Sequence, residues 1–64
     1  MKNYIILVES KGYEAKETKL YNFSQVNYMF IDGIGYLRVL CDSKFYFFRS
    51  TQTYIKEIKI CKEK

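Results

Sequence analysis

Apolar and polar positions alternate with a period near two along most of this chain, the mark of strands with one buried face. Residues 4–9 break the alternation with a nearly unbroken apolar run, as expected for a strand buried on both faces. Residues 10–14 hold Gly12 among polar neighbours and read as a turn. Residues 15–23 fit two states. As a strand they put Thr18 and Leu20 on one face and Lys19, Tyr21 and Phe23 on the other; as two turns of helix they use the propensity of Ala, Lys and Glu.

The next strands are clearer. Residues 26–31 set Val26, Tyr28 and Phe30 against Asn27, Met29 and Ile31. Asp32-Gly33 follows, and Asp-Gly between apolar runs is a strong hairpin signal. Residues 34–41 carry Leu37, Val39 and Cys41 on an apolar face and Tyr36, Arg38 and Leu40 on a mixed one. Asp42-Ser43-Lys44 reads as the second turn. Residues 45–49 then return with Phe45 and Phe47 facing one way and Tyr46 and Phe48 the other. Small polar residues at 50–53 favour a turn or one 3₁₀ turn. Residues 57–61 form the last strand, Ile58 and Ile60 inward and Glu57 and Lys59 outward, before a frayed basic tail at 62–64.

These segments predict one all-β domain over residues 1–64: a small five-stranded antiparallel meander or partly open barrel, with room for a short helix or 3₁₀ turn. The order FYFFR, STQT, YIKEIKI resembles the closing segment of SH3-like and Sm-like small barrels, where a 3₁₀ turn links the last two strands. The resemblance spans about residues 36–60 and lies in strand lengths, without the ligand-binding motifs of either family. It implies a fold, and an expectation of oligomers that bind nucleic acid or peptides; function does not follow from the fold itself.

Composition then removes several mechanisms. With 64 residues there is one core at most, and a thin one. The absence of histidine excludes Ser-His-Asp and Cys-His catalysis and imidazole-based zinc sites. The carboxylates are scattered and pair with no ligand pattern, so neither a metal nor another cofactor is expected and no enzymatic activity is assigned. Asp32-Gly33-Ile34-Gly35 lacks the helix and third glycine of a dinucleotide fingerprint. No stretch approaches the ~20 apolar residues of a membrane span. The apolar run at 4–8 lacks the length and cleavage site of a signal peptide. A cytoplasmic location with Cys41 and Cys61 as reduced thiols is therefore expected. The weight of Lys, Ile, Tyr, Phe and Asn, residues with AT-rich codons, suggests an AT-rich source such as a low-GC bacterium, its plasmid or its phage.

Charge and aromatics supply the candidate surface. The net charge is +4, and it lies wholly in residues 33–64, since the first half is balanced. Arg38 and Arg49 sit among aromatics, and Arg both grips phosphate with two donors and stacks on rings. Phe30, Phe45 and Phe47 are core candidates, leaving Tyr28, Tyr36, Tyr46 and Phe48 for a second face. The candidate ligand-binding set is Arg38, Arg49, Tyr36, Tyr46, Phe48, Lys44, Lys56 and Lys59. It suits an anionic ligand, nucleic acid or a nucleotide, held by the arginines and lysines and stacked on the rings. The same residues suit a protein contact: a host protein engaged through an edge strand or aromatic patch, as an accessory or anti-defence factor would do, or a second copy in a homo-oligomer.

Overall fold

The computed structural model describes residues 3–60. Six antiparallel strands make two three-stranded sheets: β1 (Tyr4–Lys11), β2 (Glu14–Tyr21), β3 (Phe23–Ile31), β4 (Ile34–Cys41), β5 (Lys44–Arg49) and β6 (Thr53–Lys59). The first sheet has the order β2-β1-β6 and the second β3-β4-β5. Six strands replace the expected five, because the ambiguous stretch at 15–23 supplies the strand β2 up to Tyr21 and, after the turn at Asn22, the first residue of β3, Phe23; the sheets do not close into a barrel. No helix occurs among the described residues. The expected tail at 62–64 lies outside them, as does Cys61 at the end of the last predicted strand.

Tight turns set the registers. Gly12 has φ 63 at the first central position of the two-residue turn from β1 to β2, the place where a type II′ turn requires glycine. Asp32 and Gly33 have φ 52 and 78, and Asp42 and Ser43 have φ 51 and 66, so both later hairpins close on I′-like turns. Asn22, at φ 61, reverses the chain between the sheets, and its N–H donates to Asn3 O at 2.9 Å. The Asn3 side chain in turn donates to Phe23 O at 2.7 Å. The polar segment after β5 is a turn, closed by the Gln52 N–H on Arg49 O at 3.1 Å. It carries the chain back so that β6 can pair with β1, with a bulge between Ile6 and Leu7.

The core lies between the sheets. Ile5 and Leu7 meet Phe23, Leu37, Val39, Cys41 and Phe48, with Leu20, Val26, Tyr46 and Ile55 packed around them. Leu37, Val39 and Cys41 occupy the apolar face expected of them. Three expected core residues do not: Phe30, Phe45 and Phe47 are exposed, whereas Phe48 is buried. The turn explains the phenylalanines of β5. Asp42-Ser43 is a two-residue loop, so Cys41 pairs with Lys44, Val39 with Tyr46 and Leu37 with Phe48. Reading Lys44 as part of the loop shifts the register by one and turns every side chain of β5 over. Phe30 has core parity, but it stands opposite Gly35 at the end of a hairpin that the facing sheet does not cover. Ile58 and Ile60, expected inward, are also exposed; Ile60 lies past the end of β6.

Candidate functional site

The outward face of β3-β4-β5 gathers the chemistry that the sequence singled out. Cross-strand partners share a face, so Asn27, Arg38 and Phe47 form one row, Met29, Tyr36 and Arg49 the next, and Gln25, Leu40 and Phe45 the third. Ile31 and Ile34 extend the face toward the hairpin turn. Phe45 and Phe47 are half exposed on the edge strand β5. The Tyr36 and Phe47 rings meet edge to face, with centroids 6.1 Å apart and planes at 90°. The Arg38 guanidinium lies 4.7 Å from the centre of the Phe45 ring. One of its terminal nitrogens donates to Asn27 Oδ1 at 3.4 Å, while its buried Nε has no protein partner. A guanidinium held over an aromatic ring in this way still has outer N–H groups to offer a ligand.

Electrostatics on this face are one-sided. The strands of the second sheet carry Arg38, Lys44 and Arg49 and no Asp or Glu; the turns that join them hold Asp32 and Asp42. The first sheet mixes signs: Glu17 of β2 pairs with Lys56 of β6 at 3.1 Å, across the central strand β1. Among the described residues no cavity is enclosed, so the aromatic face is an open surface. Nor do three or more His, Cys, Asp or Glu residues cluster as metal ligands would among them.

Of the candidate residues, Tyr36, Arg38 and Arg49 come together on this face. Phe48 and Tyr46 point the other way, Phe48 as a core residue and Tyr46 packed against the core. Phe48 is thereby removed from any stacking role. Lys44 pairs with Cys41 at the hairpin end and has core-side parity while remaining exposed. Lys56 and Lys59 belong to β6 in the other sheet, Lys56 held by Glu17 and Lys59 opposite Tyr4. Phe45, Phe47, Asn27 and Met29 belong to the face and were absent from the candidate set. The signal for Phe45 and Phe47 was the two-residue I′ turn at Asp42-Ser43, and for Asn27 and Met29 the one at Asp32-Gly33; each fixes parity against Leu37, Val39 and Cys41.

Among the described residues, two side groups have shifted acidity. The Tyr4 hydroxyl donates to Glu57 at 2.7 Å, and this bond to a carboxylate, followed by partial burial, holds its pKa above 10.0. Burial, then the neighbouring Asp42 carboxylate, pushes the Cys41 thiol above 9.0. Cys41 Sγ lies 2.7 Å from Tyr21 O and donates to it, so this thiol is a small core group and a poor nucleophile.

Fold and face together define a small all-β protein with an exposed aromatic surface. Comparisons with family models, curated proteins and solved structures found no match.

Proposed function

We propose that this chain is a non-enzymatic binding protein that takes an anionic polymer, single-stranded nucleic acid, on the outward face of β3-β4-β5. One observation carries the reading: Tyr36, Phe45 and Phe47 share that face with Arg38 and Arg49, and none of its strands contributes a carboxylate. Ring faces stack bases of any sequence, and the guanidiniums hold the phosphates between them. An open sheet favours an extended strand over a single nucleotide, which needs enclosing walls. The likeness of residues 36–60 to SH3-like and Sm-like barrels is compatible with such a ligand and adds no residue to the site.

Anisotropy of labelled single-stranded oligonucleotides, titrated at several salt concentrations, tests the reading. Binding should weaken with salt by a log–log slope of about −0.7 for each phosphate neutralised. Arg38→Ala with Arg49→Ala should flatten that slope by about 1.4, and Phe47→Ala should cost about 1–3 kcal/mol of binding. Wild-type protein that binds no oligonucleotide at low salt would remove the reading.

A second reading has its own support. Met29, Ile31, Ile34 and Leu40 lie on the same face and offer bases little, but they suit the apolar centre of a protein interface rimmed by arginine. A partner protein engaged there would be lost on Ile34→Asp, a change that leaves phosphate contacts in place.

A further inference from the structure

The two sheets present four edge strands, and three of them are guarded. β2 carries Glu14, Lys16, Glu17 and Lys19; β6 carries Lys56, Glu57 and Lys59; β5 is six residues long and ends in Lys44 and Arg49. Charges and short length are the usual devices that stop an edge from pairing with another chain. β3 has neither. Its nine residues, FSQVNYMFI, contain no charge and no proline, and its one irregularity lies at the start, between Phe23 and Gln25. From Gln25 to Ile31 the edge is long, regular and neutral, in a chain whose net charge is +4.

The backbone of this edge has a definite polarity. A two-residue turn closes on the pair Ile31–Ile34, and hydrogen-bonded pairs alternate from there along an antiparallel ladder. Ile31, Met29 and Asn27 thus serve β4, while Val26, Tyr28 and Phe30 aim N–H and C=O away from it. The same three residues have core-side parity. Tyr28 and Phe30 are nevertheless 71% and 75% exposed, because the facing sheet stops short of them.

We propose that β3 pairs antiparallel with β3 of a second copy of this chain, about a two-fold axis through Tyr28. This register joins outward-aimed backbone groups to each other: Tyr28 meets Tyr28 and Val26 meets Phe30. Aromatic and β-branched pairs of this kind are favourable across strands. On the other face Asn27 meets Met29, and no like charges are brought together anywhere along the strand. A second copy fits because the strand is its own complement in this register, every pair neutral and aromatic or apolar on the Tyr28 face, and a thin core gains from the association. The product is one continuous sheet, β5-β4-β3-β3-β4-β5, with the Tyr36, Arg38, Phe45 and Phe47 groups of both chains on one surface. The pairing stands whether or not that surface binds nucleic acid.

Sedimentation equilibrium with residue-resolved amide exchange tests it, at about 1 mM and about 10 µM protein. A dimer is expected in which the amides of Val26, Tyr28 and Phe30 are protected at high concentration and lose protection on dilution, while those of Asn27 and Met29 stay protected throughout. Tyr28→Lys sets two ammonium groups against each other on the axis and should weaken the dimer at least about tenfold with the strand content unchanged. A monomer at the higher concentration overturns the proposal, and so does a dimer whose Val26, Tyr28 and Phe30 amides exchange freely. The exchange pattern is read on the wild-type chain, so the test holds even if Tyr28→Lys fails to fold.

Discussion

Adjacent phenylalanines on β5 give the sharpest test of this architecture. Phe48 is 7% exposed and Phe47 is 47% exposed, a difference of about two fifths of a ring's surface. With roughly 200 Å² for a phenylalanine, that is ~80 Å² more apolar surface withdrawn from water at Phe48. At ~25 cal/mol per Å² the difference is ~2 kcal/mol. A cavity left between Leu37 and the facing sheet adds to the cost at Phe48 and has no counterpart at Phe47, bringing Phe48→Ala to about 3–5 kcal/mol. A chain of 64 residues has a total stability of about 3–10 kcal/mol, so this substitution removes much or all of it. Urea denaturation followed by far-ultraviolet circular dichroism measures both variants. Phe47→Ala should keep a cooperative transition with a modest fall in midpoint, while Phe48→Ala should be strongly destabilised or unfolded. Equal losses, or a greater loss at Phe47, would refute the register at Asp42-Ser43 and with it the composition of the aromatic face.

Other consequences follow from local geometry. Ser43 holds φ 66, a region that costs a side chain with a Cβ about 1–2 kcal/mol, and glycine returns part of that through its looser unfolded state. Ser43→Gly should therefore raise stability by about 0.5–1 kcal/mol in chemical denaturation. At Gly35 a Cβ would sit 2.6 Å from Ser50 Oγ and 3.4 Å from the Phe30 ring. Gly35→Ala should cost about 1–3 kcal/mol, and a double-mutant cycle should show that cost reduced in a Ser50→Ala background. The raised pKa of Tyr4 means that the folded state keeps a proton the unfolded chain has lost above pH 10.0, so stability is intact below that value and falls as pH rises through the folded pKa. Alkaline denaturation of Tyr4→Phe should show a shallower fall than wild type; the raised Cys41 pKa acts in the same direction in both.

Strand identity was legible because it is written in local pattern. The apolar run at 4–9, the Asp-Gly turn and the Leu37, Val39, Cys41 alternation each have a short-range cause. Residues 15–23 were ambiguous for an equally local reason, since Ala15, Lys16 and Glu17 favour helix; pairing with β1 up to Tyr21 decides the matter in favour of strand, and Phe23 already belongs to β3. Facing was less legible. On β5 one loop residue separates the two parities, and hydrophobicity alone could not choose, because both faces of Phe45-Tyr46-Phe47-Phe48 are aromatic. On β3 parity was right for Phe30 but coverage was wrong, because how far one sheet overlaps another is a long-range property. The candidate site suffered in the same way. The two arginines and Tyr36 were placed by β4 and its hairpin partners, whereas Lys56 and Lys59 were grouped with them by sequence half and turn out to lie on the other sheet.

The two outward faces of this protein have different solutions to the same problem. On the first sheet Ile6 and Val8 point away from the core, yet both are buried. Ile6 stands between Lys19 and Glu57, and Val8 between Glu17 and Tyr54. The aliphatic stems of Lys19, Glu57 and Glu17 and the ring of Tyr54 cover the apolar pair while their polar ends stay in water, and the Lys56–Glu17 and Tyr4–Glu57 contacts hold the cover in place. That face is closed by its own residues. The second sheet could be closed in the same manner, and Arg38, lying over Phe45, does so at one point. Elsewhere the positions that would carry long polar side chains hold Met29, Ile31, Ile34, Phe45 and Phe47 instead. An apolar sheet face left open carries a standing risk of association. The chain has a working device for covering such a face and uses it throughout on one sheet but at only one point on the other, which is the physical ground for proposing the contact surface on β3-β4-β5.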